Sequence, residues 1–150
     1  MRYLEDLSVG EQVVSAPVEF TENDIRDFAV RFDPQPMHLD PDAAAQGPLK
    51  GITASGWQTT AVVMRLIVEA KPFGGAPVLG LGVDELLWPH PVRPGDTITA
   101  EIEIVQITPS RSKPTHGVVR THITAKNQAG DVVLSMFPNL WVPRRGGPAQ

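Results

Sequence analysis

The chain has no cysteine among its 150 residues. Disulfide bridges, a thiolate nucleophile and a cysteine-based zinc site are therefore excluded. Long hydrophobic runs are also missing, since the longest, Ala61 to Val68, is interrupted by Arg65. The start of the chain is mixed and acidic, whereas a secretory signal is basic and then apolar. We expect a soluble, untargeted protein of the cytoplasm with no membrane partner.

An excess of positive charge is missing as well. The formal net charge is -4 and the isoelectric point is about 5.5, which argues against a nucleic-acid partner because such proteins usually present a basic face. A metal site built from Asp33, His38 and Asp40 would need a further histidine, and no HxH or HExxH spacing supplies one. We predict no metal.

Length and composition predict one domain. A chain of 150 residues with 41% hydrophobic content can build a single core. We assign residues 1–143 to this domain and expect residues 144–150 to form a disordered tail, because Pro143 is followed by arginines and glycines.

Helical patterns occupy the first half of the chain. Thr21 to Asp24 has the pattern of a capping box, and the apolar residues that follow recur at helical spacing: Ile25, Phe28, Ala29 and Phe32. Asp40 is a candidate N-cap, with Pro41 as the first residue of a short helix through Ala45. A second long helix opens around Ser55, and it is apolar on nearly every side from Thr59 to Val68, which predicts a buried helix.

Strand patterns dominate the second half. Ile98, Ala100, Ile102 and Ile104 alternate with polar residues, as do Val119, Thr121, Ile123 and Ala125. Further strands are expected near 11–20, 79–87 and 132–142, with a hairpin turn at 127–130. The predicted fold class is α+β, an antiparallel sheet wrapped around one long central helix. Open sheet edges make pairing with a second copy expected.

The segment Asp33-Pro34-Gln35-Pro36-Met37-His38 brings an acid and an imidazole close together in the chain. Its two prolines predict a stiff, extended loop, which would present both groups on a rigid support. An imidazole titrates near neutrality and a carboxylate can orient a water, so the pair suits proton transfer. Equally, Asp before Pro is a common turn starter and a lone loop histidine is often only solvated.

With GITASGW at Gly51–Trp57 and VRPGDTI at Val92–Ile98, this segment resembles the MaoC-like dehydratases, the (R)-specific enoyl-CoA hydratase group with the hot-dog fold. The likeness covers about residues 5 to 143. Family members commonly carry D-x-N-P-x-H, and Asp33, Gln35, Pro36 and His38 occupy those places. The chain departs from the pattern at Gln35, where the family often has Asn, and at Ser55, where many hydratases have His.

The resemblance implies reversible hydration of a 2-enoyl-CoA to an (R)-3-hydroxyacyl-CoA, with Asp33 and His38 as the acid–base pair. Burial under an acyl tail would raise the pKa of Asp33. The backbone N–H of Gly56, in the first turn of the central helix, would hold the enolate oxygen; alternatively, Gly56 only eases the packing of Trp57. No cofactor is expected beyond the coenzyme A of the substrate.

Weaker candidates for substrate binding complete the expected site. Gln35 and Ser55 lie beside the catalytic residues, and Trp57 would line an acyl tunnel unless it is a core or subunit contact. Arg111 and Lys113 suit the phosphates of coenzyme A, although a solvated turn explains them equally well. Two other functions stay open: a thioesterase, since one fold hosts several chemistries, and a non-catalytic acyl-CoA-binding subunit. A homodimer or higher homo-oligomer is expected.

Overall fold

The structure, a computed structural model, describes residues 1–146. After a 3-10 turn at Leu4–Asp6, the elements in chain order are β1 (Gln12–Val14), β2 (Val18–Glu19), α1 (Glu22–Phe32), α2 (Pro36–Leu39), α3 (Pro41–Gln46), α4 (Gly56–Ala70), β3 (Leu79–Leu87), β4 (Thr97–Pro109), β5 (His116–Lys126) and β6 (Val132–Pro143). No helix in residues 1–146 combines the length and the apolar character needed to cross a membrane.

The strands form one antiparallel sheet in the order β1-β4-β5-β6-β3, and the short β2 also pairs with β4. Along β4 and β5 the inward-facing residues are buried, with Ile102 opposite Ile123 in the register. These residues form one core with Val63, Leu66 and Ile67 of α4. The predicted α+β arrangement, a sheet around a central helix, is therefore confirmed.

The first strand is shorter than the sequence predicts. Instead of one strand near 11–20, β1 ends at Val14 and β2 begins at Val18. Between them, the N–H of Ser15 donates to Ala100 O while its Oγ accepts from Ala100 N and donates to Ala16 O. Pro17 then has no N–H to continue the ladder. The buried serine and the proline together break the strand.

The central helix is less covered than expected. Val63, Leu66 and Ile67 are buried against the sheet, but Met64 and Val68 are 42% and 64% exposed. The prediction of a helix buried all round is therefore wrong for a single protomer. The sheet covers one side, and the other side remains an apolar surface.

The helices of the first half follow their capping signals. Thr21 accepts from the N–H of Asp24, and Asp40 accepts from the N–H groups of Asp42 and Ala43. The expected apolar face of α1 is only partly buried, since Phe32 is 63% exposed. Phe32 instead packs against Phe28 of the preceding turn, with ring centroids 5.1 Å apart.

The chain remains held beyond β6. Arg144 Nε donates to Glu5 Oε1 at 3.0 Å, and the N–H of Arg145 donates to Glu5 Oε2 at 2.9 Å. Arg145 also pairs with Asp6. The expected disordered tail from residue 144 is therefore wrong for these two arginines, because acidic residues near the N-terminus hold them. Residues 147–150 of that predicted tail lie outside the described residues.

Candidate active site

Asp33 and His38 face each other across a short, bent segment. Asp33 caps the end of α1, where its N–H donates to Ala29 O at 2.9 Å. The segment is extended only as far as Gln35, since Pro36 starts the short helix α2 that carries His38. The expectation of an extended loop through His38 is therefore wrong, because proline is well suited to a first helical position. The helical turn brings His38 Nε2 within 3.2 Å of Asp33 Oδ2.

The backbone fixes the orientation of the imidazole. His38 is buried, and its Nδ1 lies 2.6 Å from the carbonyl oxygen of Thr53. Since a carbonyl only accepts, Nδ1 carries a hydrogen. In the neutral ring this leaves Nε2 as an acceptor, facing the Asp33 carboxylate. A solvated loop histidine, the alternative open at the level of sequence, does not describe this residue.

The pKa of the Asp33 carboxyl is lowered below its usual value. The largest cause is the hydrogen bond that Gln35 donates, and interactions with Ser55 and His38 act in the same direction against the effect of burial. Gln35 Nε2 donates to Asp33 Oδ1 at 2.7 Å. The expected rise of the pKa through burial is thus opposed in the free protein by donors that stabilise the carboxylate.

The residues beside the pair have specific local roles. The side-chain amide of Gln35 donates to Asp33, so it helps to hold the carboxylate in place. Ser55 is buried, and its Oγ accepts from the N–H of Trp57 at 3.3 Å as the N-cap of α4. A buried serine has little surface for a substrate, so its place at the site is to hold Asp33 and the start of α4.

Gly56 begins α4, and the indole of Trp88 packs directly against it. A Cβ added to Gly56 would lie 2.4 Å from Cδ2 of Trp88, so only glycine fits here. Trp88 Nε1 donates to Thr60 Oγ1 at 3.1 Å, and Thr60 Oγ1 donates to Gly56 O at 2.8 Å. The glycine therefore does ease the packing of a tryptophan, but of Trp88 rather than of Trp57. Within residues 1–146 no hydrogen-bond acceptor is found for the Gly56 N–H.

A cavity of about 310 Å³ joins the imidazole to the start of α4. Its walls include His38, Gly56 and Trp88, together with His90 of the following loop. We call this space the His38 cavity. Asp33 does not line this cavity, and its Oδ2 lies 3.2 Å from His38 Nε2. A substrate group in this space would therefore meet the imidazole and the first turn of α4 together.

Three of the weaker candidates do not line the His38 cavity. Trp57 is 60% exposed and meets Trp88 edge to face, with centroids 5.1 Å apart. Arg111 and Lys113 are exposed in the turn after β4. Ala54 N–H donates to Val92 O, so the segment that leads into β4 lies near Gly56. The turn that carries Arg111 and Lys113 follows the other end of β4, whose 13 residues span roughly 40 Å. One protomer therefore does not bring Arg111 and Lys113 to the site.

Arg93 is a cation that sequence reasoning missed. Its Nη2 donates to the carbonyl oxygen of Leu49 at 2.7 Å, and Leu49 lines the His38 cavity. The signal was weak, because Arg93 sits in a proline-rich loop far along the chain from Asp33. A guanidinium at this rim is suited to an anionic group.

Two further cavities flank α4. One, of about 360 Å³, lies between α1, β2 and α4 and is lined by Gln58, which is buried. The other, of about 420 Å³, lies at the far end of α4 and is mostly apolar, with Met64 and Ile123 in its walls. The second is remote from the acid and the imidazole. In the part of the chain that the structure describes, no three His, Asp or Glu residues group as a metal site.

Comparison with known proteins places this geometry in a family. The curated (R)-specific enoyl-CoA hydratase of Rhodospirillum rubrum is 30% identical over 147 residues, 97% of this chain and 95% of that protein. A crystal structure of a MaoC-like dehydratase from the same organism superposes with a TM-score of 0.91 at 41% identity, covering 98% of this chain and 99% of the other. The R-hydratase of Pseudomonas aeruginosa, in its unliganded form, superposes with a TM-score of 0.78 at 26% identity, covering 99% of this chain and 92% of the other. These neighbours share the hot-dog fold. The family model of the MaoC like domain matches residues 6–127, and the chain belongs to this family.

Proposed function

We propose that the protein reversibly hydrates a 2-enoyl-CoA thioester to the (R)-3-hydroxyacyl form. The observation that carries this proposal is the 3.2 Å contact between Asp33 and His38, with His38 on the same cavity as the start of α4. The named relatives support it, since one is an (R)-specific enoyl-CoA hydratase and another a 3-hydroxybutyryl-CoA dehydratase. The reaction needs no cofactor beyond the coenzyme A of the substrate.

Asp33 and His38 divide the proton transfers of the hydration between them. Asp33, held as a carboxylate, orients a water and accepts its proton, while the oxygen of that water bonds to the β carbon. The electrons of the double bond move toward the thioester, and an enolate oxygen develops. His38 Nε2, 3.2 Å from Asp33 Oδ2, takes that proton from Asp33 and passes it to the α carbon, so that Asp33 is again a carboxylate, the imidazole is again neutral and one water has been added in full.

The enolate oxygen needs a donor in place before the reaction. The Gly56 N–H lies in the first turn of α4, where amide hydrogens lack helical acceptors and the helix dipole is positive. A developing oxyanion is stabilised there, and one such donor is typically worth about 3 kcal/mol of barrier. Trp88 covers the glycine and shields this region from water.

A second copy of the chain is part of the proposal. β3 is an edge strand in the described sheet, and its apolar side chains are exposed: Leu79, Leu81, Val83 and Leu87. Exposed apolar edges pair readily with another strand. We expect a homodimer through β3 and the exposed side of α4. Arg111 and Lys113 meet coenzyme A only if a partner copy brings them to the site; Arg93 is the nearer cation. The cytoplasmic location stays a prediction.

The test follows the conjugated thioester of crotonyl-CoA by ultraviolet absorbance, together with free thiol. Loss of absorbance without thiol is the expected result. Thiol release would instead indicate a thioesterase, and no change with short, branched or long acyl chains would indicate a binding subunit. In the reverse direction, (R)-3-hydroxybutyryl-CoA should gain absorbance and its (S) isomer should not.

A further inference from the structure

Gln58 is a buried amide without a partner. It lies in the first turn of α4, two residues after Gly56, and is 4% exposed. Its Oε1 accepts no hydrogen bond from any residue in 1–146. Buried polar groups are nearly always hydrogen-bonded, because the water they lose must be replaced. A buried amide oxygen that no donor reaches therefore points to a donor from outside the chain.

The amide lines a cavity of about 360 Å³, which we call the Gln58 cavity. Phe20, Phe28 and Val62 supply apolar walls, so the space suits several carbon atoms. Glu19, Asp24 and Arg65 are exposed lining residues and form its rim. Inside the rim, Gln58 is the polar side chain available to a ligand.

The Gln58 cavity lies against the two helices that also carry groups of the proposed site. It lies between α1, which ends at Asp33, and α4, whose N-cap is Ser55. Ser55, which helps to lower the pKa of Asp33, precedes Gln58 by three residues, so the side chains of Ser55 and Gln58 lie on the same side of the helix start. The acyl chain of a thioester held at Gly56 would run past Asp33 to reach Gln58.

We infer that Gln58 selects acyl chains that carry a neutral hydrogen-bonding group, such as a hydroxyl, beyond the reacting double bond. This inference rests on the proposed hydratase function. A hydroxyl can donate to Oε1 or, if the amide turns over, accept from Nε2. A plain hydrocarbon chain would leave the buried amide unpartnered. A leucine of similar size at this position would bind such a chain better.

A carboxylate at the chain end fits less well. The rim carries two acids, Glu19 and Asp24, against one base. That base, Arg65, is already paired with Glu69 at 2.8 Å. The charge around the entrance therefore disfavours a second negative group on the acyl chain, and the neutral polar chain is the favoured ligand.

The experiment compares kcat/KM for 2-enoyl-CoA thioesters of equal length that end in a methyl group, a hydroxyl or a carboxylate, across short and medium chains. The wild-type protein should prefer the hydroxyl over the methyl by at least about tenfold. Gln58→Leu should reverse this preference, mainly through KM for the hydroxylated substrate. Gln46→Leu makes the same chemical change at the exposed end of α3 and should keep the wild-type ratio.

The outcomes separate the two proposals. If the wild-type protein hydrates all three series but prefers the methyl end or the carboxylate, the inference is overturned and the hydratase function stands. If it hydrates none of them, both the hydratase function and the role of Gln58 are wrong. Should Gln58→Leu fail to fold, Gln58→Met removes the amide with an unbranched side chain, and an unchanged ratio in that variant would also overturn the inference.

Discussion

His38 Nδ1 lies 2.6 Å from the carbonyl oxygen of Thr53, 15 residues further along the chain. This contact settles which ring nitrogen carries the hydrogen in the neutral imidazole. The other nitrogen faces Asp33, so any further proton enters between the two groups of the proposed pair. The backbone of one segment thus sets the chemistry of a side chain on another.

Removing either member of the pair should abolish most of the activity. We expect Asp33→Asn and His38→Ala each to lower the hydration rate by at least about a hundredfold, the usual scale for general acid–base groups. Crotonyl-CoA absorbance measures the rate, and circular dichroism checks the fold. Asp27→Asn, an exposed change on α1, should keep the wild-type rate. Near-normal turnover in both site variants would remove the assignment.

The low pKa of Asp33 should depend on Gln35. A lowered pKa keeps the carboxylate ionised, so it contributes stability above its unfolded pKa, and this contribution is lost as the pH falls through the folded value. Gln35→Leu removes the largest cause, and the pKa of Asp33 should rise. The acid limb of the pH–rate profile should then move to higher pH. An unmoved limb in Gln35→Leu would show that Gln35 does not tune the base.

Local patterns predicted the helices and the long strands well. The capping signals at Thr21 and Asp40 and the alternation in β4 each depend on neighbours a few residues apart, and all three were met. The predictions that failed depend on contacts between residues far apart in the chain. The first strand is interrupted where Ser15 bonds to Ala100, and the tail after β6 is ordered where Arg144 pairs with Glu5.

The sequence predicted those parts of the site whose residues are close together in the chain. Asp33, Gln35 and His38 are neighbours in sequence, so their pairing could be expected. Thr53 contributes a backbone carbonyl, which leaves no trace in residue type. Trp88 reaches Gly56 from a loop after β3, and no spacing could indicate that contact. Gln58 did leave a signal, as a glutamine in the first turn of a mainly apolar helix.

Gly56→Ala should disturb the site through Trp88. The new Cβ would lie 2.4 to 2.7 Å from atoms of the indole, so the ring must move. We expect a loss of about 1–3 kcal/mol in the free energy of unfolding, measured by urea titration. Adding Trp88→Ala should restore part of this stability by removing the clash. If the double variant is no more stable than Gly56→Ala, the contact is not the cause.

The edge strand β3 should carry the dimer contact. A charge on this apolar edge opposes pairing, so Val83→Lys should shift the protein toward a monomer in analytical ultracentrifugation. Val30→Lys makes the same change at another exposed valine, on α1, and should leave the assembly unchanged. A wild-type protein that sediments as a monomer would contradict the proposed homodimer.

The arginines after β6 should control the titration of Glu5. The N–H of Arg145, followed by the side chain of Arg144, lowers the pKa of Glu5 from 4.5 to about 2. The ionised Glu5 carboxylate therefore stabilises the folded protein above pH 4.5, and this stabilisation is lost as the pH falls toward 2. In a chain ending at Pro143, the pKa of Glu5, followed by NMR, should rise toward 4.5. Asp84, whose pKa Arg120 lowers, should titrate alike in both chains.

Trp57 and Trp88 meet edge to face above the start of α4, whereas Trp141 lies on β6. Two of the three tryptophans therefore sit where an acyl thioester would enter, and their emission spectrum should change when a ligand enters. The protein carries its own optical reporter for binding. Occupancy can be followed in unlabelled protein, even in variants that no longer turn over.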